Sequence, residues 1–135
     1  MAYKILIADD EPEVLEVLSK RIVQEGYEVI SAQDGEEALN KIRKEDPDLI
    51  VLDIMMPKKN GFEVLEEIRS RPKANKWLPV IIVSAKDQFD DIRKGYNLDA
   101  DYYITKPCSL DIFMNGIKTM VSLIPLRNLA QENFK

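Results

Sequence analysis

Three carboxylates, a hydroxyl and an amine are the side chains of this sequence whose types and positions suggest chemistry. Asp9 and Asp10 follow the first short apolar segment, Asp53 ends the third, Ser84 ends the fourth and Lys106 follows the fifth. In an open parallel α/β sheet, ligands bind outside the carboxyl ends of the strands, so these residues are expected to meet at one edge.

Clustered carboxylates repel one another, on the order of several kcal/mol at an effective dielectric constant of about 20, and a divalent cation would relieve the repulsion. Mg²⁺ fits because it prefers hard oxygen ligands and commonly takes one or two carboxylates plus phosphate oxygens. Mn²⁺ could substitute for it. Asp10 and Asp53 are the candidate direct ligands, and Asp9 would act nearby.

A carboxylate such as that of Asp53 can attack a phosphoryl group and form an acyl phosphate if the charge on the transferring oxygens is neutralised. The metal, Lys106 and the Ser84 hydroxyl are the candidates for that task. The sequence has no histidine and a single cysteine, Cys108. A histidine base, a multi-thiolate zinc site and an internal disulfide are therefore excluded.

The elements that must position these groups are five βα pairs, because short apolar β-branched runs alternate with amphipathic segments. This pattern predicts a parallel sheet with helices on both faces. The third and fourth strands are apolar at consecutive positions and should be central. The predicted strands are Lys4 to Ala8, Tyr27 to Ser31, Leu49 to Asp53, Val80 to Ser84 and Asp101 to Ile104.

The helices are predicted from their start and stop signals. The first begins near Pro12 and stops at Gly26, the second follows the cap Asp34, and the third follows Asn60-Gly61. The fourth spans about 87–98 and the fifth begins at the cap Ser109 and ends before Pro125. The apolar residues expected to face the core from the last two helices are Phe89, Ile92, Tyr96, Ile112, Phe113, Ile117, Met120 and Val121.

Length and composition favour one domain, since 135 residues with 45% hydrophobic and 32% charged side chains are enough for one core. Residues 1–124 would form it, and 125–135 would be a tail or the start of a linker. The net charge of -5 is dispersed, so no direct nucleic-acid binding is expected. Without a membrane-spanning stretch or signal peptide, a soluble cytoplasmic protein is expected.

Several motifs, taken together and in order, resemble bacterial two-component response-regulator receiver domains. The resemblance covers about residues 4 to 123 and implies a flavodoxin-like doubly wound (βα)5 sandwich with strand order 2-1-3-4-5. The motifs that carry it are Asp9-Asp10, the run Leu52 to Pro57, Val83-Ser84-Ala85 and the run Asp101 to Pro107.

The resemblance implies that Asp53 receives a phosphoryl group from the phosphohistidine of a sensor histidine kinase or a histidine phosphotransfer protein. Asp9, Asp10 and Asp53 would hold Mg²⁺ together with the backbone carbonyl of Met55. Lys106 would contact the phosphate. These roles describe a signalling switch that assists its own phosphorylation, and the chain would not be an enzyme acting on another substrate.

The same resemblance implies that Ser84 moves to bond the phosphate and that Tyr103 turns inward behind it. Strand alternation places Tyr103 on the outer side of the fifth strand. The change would reshape the face formed by the fourth helix, fifth strand and fifth helix. That face would bind a downstream output domain or protein, or would support a phosphorylation-dependent dimer.

Some positions call for separate expectations. Asp99 stands where the family usually has glycine, and aspartate tolerates the left-handed region better than most residues. The Lys106-Pro107 peptide is expected to be cis, as is usual in the family. Met55 cannot orient a water molecule and Lys86 could shield the phosphate, so slow self-hydrolysis of the acyl phosphate is expected.

Other interpretations compete with the switch. Asp9 and Asp10 could only cap the first helix. An aspartyl phosphatase would need a second aspartate two positions after the nucleophile, where Met55 stands. A nucleotide-binding or flavin-binding module lacks its glycine-rich loop. A receiver-shaped scaffold that acts only through binding, without phosphorylation, is a further alternative. Trp77 and Cys108 are interpreted as packing residues.

Overall fold

The computed structural model describes residues 2–71 and 77–133, with side chains described through Leu129. Five parallel strands form one sheet in the order β2-β1-β3-β4-β5, which confirms the predicted doubly wound, flavodoxin-like topology. The strands are β1 Lys4–Ala8, β2 Glu28–Ala32, β3 Leu49–Leu52, β4 Val80–Ser84 and β5 Tyr102–Thr105.

A helix follows each strand, as the alternation of apolar runs and amphipathic segments predicted. The helices are α1 Pro12–Gln24, α2 Gly35–Glu45, α3 Gly61–Ser70, α4 Phe89–Asn97 and α5 Leu110–Asn133. Local signals fix where several of them begin. Asp34 accepts a hydrogen bond from the Glu37 amide, and Asn60 and Glu63 form a capping box.

The sheet buries both of its faces because its side chains alternate between two cores. Leu6 and Leu52 point into a core covered by α2, α3 and α4, whereas their neighbours Ile7 and Val51 point into a core covered by α1 and α5. All residues of β3 and β4 are buried, as their consecutive apolar sequence predicted. The carboxyl ends of the strands are therefore held by two independently packed layers.

Three strands differ from the prediction by one residue, β2 and β5 at both ends and β3 at its carboxyl end. β2 begins at Glu28, because the Tyr27 amide donates to the Ile22 carbonyl and closes the end of α1. β3 ends at Leu52, and β5 begins at Tyr102 and reaches Thr105.

Helix α5 differs more. It was predicted to end before Pro125 but continues to Asn133 with the proline inside it. A proline within a helix removes one backbone hydrogen bond, so contacts elsewhere must support the continuation.

Three apolar residues predicted to face the core are exposed. Phe89 is 74%, Tyr96 43% and Ile112 53% exposed. In α4, Gly95 is buried and half-buried Ile92 packs against the core, whereas Phe89 and Tyr96 remain exposed. None of the helices in the described part of the chain has the length and apolar character needed to cross a bilayer.

Candidate phosphoryl-acceptor and cation site

Four of the residues singled out in the sequence meet at the carboxyl edge of the sheet. Asp9 and Asp10 follow β1, Asp53 follows β3 and Lys106 follows β5. The carboxylates of Asp9, Asp10 and Asp53 each have an oxygen within 4.8 Å of the others. Asp9 is 3% and Asp53 7% exposed, whereas Asp10 is exposed. The cluster therefore has a buried floor and one solvent-facing carboxylate.

The Lys106 ammonium links the two buried carboxylates. Its Nζ donates to Asp9 Oδ2 over 2.8 Å and to Asp53 Oδ2 over 3.2 Å. Burial by itself lowers the pKa of Lys106, but hydrogen bonds and charges from Asp9 and Asp53 outweigh burial and raise it. One positive charge among three carboxylates leaves two negative charges, which match a divalent cation.

Asp53 is held at both its backbone and its side chain. Its amide donates to the Ala8 carbonyl over 2.9 Å, and its Oδ1 accepts from the Met55 amide over 3.2 Å. Burial raises the pKa of the Asp53 carboxyl, while the Lys106 charge opposes that rise. Burial thus makes this carboxylate more basic than an exposed one, and the hydrogen bonds fix its orientation.

Two glycines let the chain close around Asp53. A Cβ atom on Gly61 would lie 2.4 Å from the Asp53 carbonyl oxygen and 2.7 Å from Ile54 Cα. A Cβ on Gly35 would lie 2.1 Å from the Lys59 carbonyl oxygen, in the segment that joins β3 to α3. The sequence identified Asn60-Gly61 only as a signal that precedes the third helix, and Gly35 only as the residue after the cap Asp34. Nothing local in the sequence indicates these close approaches.

Asp9 also has a structural role. Its Oδ1 accepts from the Glu11 amide over 3.0 Å at the start of α1, while its other oxygen binds Lys106. The N-cap residue itself is Glu11, whose side chain makes no capping hydrogen bond. One carboxylate oxygen of Asp9 therefore bonds the start of α1, as the capping interpretation expected, and the other oxygen belongs to the acidic cluster.

Ser84 and Tyr103 lie next to this cluster, on β4 and β5. Ser84 is fully buried, its carbonyl accepts from the Lys106 amide over 2.8 Å, and its Oγ accepts from the Lys86 amide over 3.3 Å. The Tyr103 hydroxyl donates to the Lys86 carbonyl over 2.5 Å. The segment after β4 is thus held by side chains of β4 and β5.

The position of Tyr103 corrects the expectation of an outer-side residue. The ring is only 8% exposed and belongs to the core beneath α4. It fits because α4 has a glycine there, since a Cβ on Gly95 would lie 3.1 Å from Tyr103 Cδ2. Burial, together with nearby Asp91, Asp53 and Asp87, raises the pKa of Tyr103 to about 12.

Three further positions were singled out in the sequence. The Met55 side chain is 57% exposed at the mouth of the site, consistent with a role for its backbone alone. The Lys106-Pro107 peptide is cis, as predicted. Asp99 adopts a left-handed conformation with φ of 67°. Aspartate therefore takes the backbone conformation for which glycine is usually needed.

Comparison with known proteins identifies relatives of this arrangement. Residues 5–118 match the family model of the response regulator receiver domain. The chain is 45% identical over 109 residues to the alkaline phosphatase synthesis transcriptional regulatory protein PhoP of Bacillus subtilis, covering 81% of this chain and 44% of PhoP. It is 46% identical over 107 residues to response regulator GtcR of Aneurinibacillus migulanus, covering 79% and 43%.

The chain spans less than half the length of these two curated relatives. Among solved structures, a CheY-like response regulator receiver domain protein from Methanospirillum hungatei superimposes with a TM-score of 0.81 at 29% identity. All of both chains is covered. The whole of the described fold thus has a counterpart among receiver domains.

Proposed function

The chain belongs to the response regulator receiver domain family, and from this we propose that Asp53 is its phosphoryl acceptor. The observation that carries the proposal is the Lys106 ammonium placed between the buried carboxylates of Asp9 and Asp53. This arrangement supplies a nucleophile, a positive charge for the phosphoryl oxygens and an acidic cluster at one point. A receiver domain is a signalling switch, and its covalent modification is the signal.

The donor set fits a magnesium ion. Three carboxylate oxygens within 4.8 Å of one another are hard ligands, and their uncompensated charge equals that of one Mg²⁺. Asp9, Asp10 and Asp53 would hold the ion with the Met55 carbonyl, and Mn²⁺ would substitute. When bound, the ion would neutralise charge on the transferring phosphoryl oxygens.

The transfer is a displacement at phosphorus. A carboxylate oxygen of Asp53 attacks the phosphoryl group of a phosphohistidine whose imidazole is protonated at its other ring nitrogen. The bond from phosphorus to imidazole nitrogen breaks, and the imidazole leaves with that electron pair and keeps its proton. The product is an acyl phosphate on Asp53 and a neutral histidine on the partner. Lys106 is already within hydrogen-bond distance of Asp53 and needs little movement to contact the new phosphate.

The conformational change that follows phosphorylation would involve Ser84 and Tyr103. The Ser84 hydroxyl is buried beside the site, and the Tyr103 hydroxyl is bonded to the same segment through the Lys86 carbonyl. Movement of Ser84 toward a phosphate would displace this segment, to which the Tyr103 hydroxyl is hydrogen-bonded. The inward ring seen here is the position expected of the phosphorylated form, so phosphorylation would increase its population.

Receiver domains pair with histidine kinases and output domains, and we propose both kinds of partner for this chain. The phosphodonor would be a sensor histidine kinase or a histidine phosphotransfer protein. The face of α4, β5 and α5 would bind the output domain or protein, or a second phosphorylated copy. PhoP is by its name a transcriptional regulator, so a DNA-binding output outside this domain is one option. A cytoplasmic location belongs to the same proposal and rests on the family.

Slow loss of the phosphoryl group is also proposed. The exposed Met55 side chain has no group that could orient an attacking water, and Lys86 lies on the segment bonded to Ser84. Loss of the phosphoryl group from the purified phosphoprotein within seconds would contradict this part alone.

The test is incubation with acetyl phosphate and Mg²⁺ followed by intact-mass measurement. The expected result is a mass increase of one phosphoryl group, absent in Asp53→Asn and retained in Glu36→Gln, an exposed carboxylate on α2. No mass increase in the parent protein, or an equal increase in Asp53→Asn, would refute the proposal and favour a phosphorylation-independent scaffold.

A further inference from the structure

Trp77, the single tryptophan of the chain, contacts the part of α5 that follows Pro125. Its backbone amide donates to Asn128 Oδ1 over 2.9 Å, and the Arg127 guanidinium lies 4.6 Å from the centroid of its ring. The indole is 9% exposed and packs in the same core as Ile124. One side of the late α5 turns is therefore held by both the ring and the backbone amide of Trp77, which precedes β4.

Trp77 is itself anchored to the sheet. Its Nε1 donates to Asp101 Oδ1 over 3.2 Å, and Asp101 Oδ2 accepts from the Val80 amide and from Arg69, each over 2.8 Å. Arg69 also donates to the carbonyls of Leu78 and Asp99. The indole thus sits on a bonded network at the end of the sheet opposite the acidic cluster.

These contacts explain why α5 does not stop at its proline. Pro125 removes a helical hydrogen bond, and the short stretch beyond it would be marginal as an isolated helix in water. Asparagine is also a weak helix former. The favourable contribution must come from docking, and Arg127 and Asn128 are the residues that dock.

We propose that Trp77 is an intramolecular clasp that makes residues 125–129 a rigid helical arm of this domain. The folded unit then extends at least to Leu129, and 125–129 is neither a free tail nor a flexible linker. The direction in which the chain leaves the domain is fixed relative to β4 and β5. The inference is independent of phosphorylation, because it rests on contacts remote from the acidic cluster.

The single tryptophan gives a direct test by acrylamide quenching of its fluorescence in the full chain. The Arg127→Ala/Asn128→Ala double variant should raise the quenching constant by roughly twofold or more, because the clasped side of the arm is released. Alanine is the best helix former, so the effect cannot come from lost helix propensity. The matched control is Leu126→Ala, on the exposed side of the same turn, which should match the parent protein. Equal quenching in the double variant and this control would overturn the proposal.

A second measurement needs no variant. Hydrogen exchange of the backbone amides of Arg127, Asn128 and Leu129 in the parent protein should be slowed at least about tenfold relative to an unstructured peptide. Trp77→Leu keeps the backbone amide that bonds Asn128 but loses the ring contact with Arg127 and the indole bond to Asp101, so it should reduce that protection while leaving the amides of α2 protected. Exchange at the unstructured rate in the parent protein would show that the arm is undocked and would also overturn the clasp.

Discussion

The Nζ atom of Lys106 lies 3.2 Å from Oδ2 of Asp53, although the two residues are 53 positions apart in the sequence. The two strands that they follow, β3 and β5, are both neighbours of β4, so the contact spans three strands of the sheet. The same ammonium also bonds Asp9. A single cation therefore joins the two acidic residues that are buried at the site.

Replacing Lys106 with glutamine should slow phosphorylation by acetyl phosphate. The variant removes the charge that would face the phosphoryl oxygens, and loss of one such preorganised group commonly costs about 10²- to 10³-fold in rate. The measurement is the time course of the mass increase at fixed Mg²⁺. Lys118→Gln is the matched control, since that lysine pairs with Glu25, the residue that follows α1. An unchanged rate in Lys106→Gln would remove this residue from the mechanism.

Magnesium should stabilise the folded chain, and the effect should depend on the acidic cluster. A ligand that binds only the native state at 100 times its Kd adds about 2.7 kcal/mol to the free energy of unfolding. Urea titrations with Mg²⁺ and with EDTA measure this gain. Asp10→Asn should bind Mg²⁺ at least about tenfold more weakly, roughly 1.4 kcal/mol. A gain that persists unchanged in this variant at the same Mg²⁺ concentration would place the ion elsewhere.

Tyr103 should titrate at about pH 12, above the ordinary value of 10.0 for a tyrosine, because its hydroxyl is buried near acidic groups. Since the folded-state pKa is raised, the protonated phenol favours folding. Its contribution is complete below pH 10 and is lost as the pH rises toward 12. Ultraviolet difference titration of the parent protein against Tyr103→Phe isolates this phenol among the five tyrosines. A difference curve centred near pH 10 would show that the ring is exposed in solution.

Gly61→Ala should destabilise the fold by about 1–3 kcal/mol and slow phosphorylation. The added Cβ would overlap the backbone of Asp53 and Ile54, and backbone cannot move aside as a side chain can. Chemical unfolding measures the first effect and mass spectrometry the second.

The matched control is Gly116→Ala in α5, where the nearest atoms to a Cβ would be side-chain atoms of Ile104 and Tyr102 at 3.1–3.4 Å. Alanine also has the better helix propensity there, so the change should stay within about 1 kcal/mol of the parent. Equal destabilisation by the two substitutions would mean that the close approach at Gly61 is relieved easily.

The sequence determined the order and type of the elements and the residues at the carboxyl ends of the strands. These follow from local rules: consecutive apolar residues make buried strands such as β3, and caps such as Asp34 and Asn60 start helices. Once the strands are parallel and adjacent, Asp9, Asp53 and Lys106 must share an edge. The candidate site could therefore be predicted as a set of residues.

Tertiary structure alone decided the contacts that join distant segments. Neither the inward ring of Tyr103 beneath Gly95, nor the approach of Gly61 to Asp53, nor the continuation of α5 past Pro125 has a local signal. Each depends on which side chain from another element packs in the adjoining space. In these three places, packing outweighs the local conformational preferences of proline and glycine. Trp77 shows this most clearly, because its hydrogen bond to Asn128 crosses 51 positions of sequence and supports a helix that local rules end earlier.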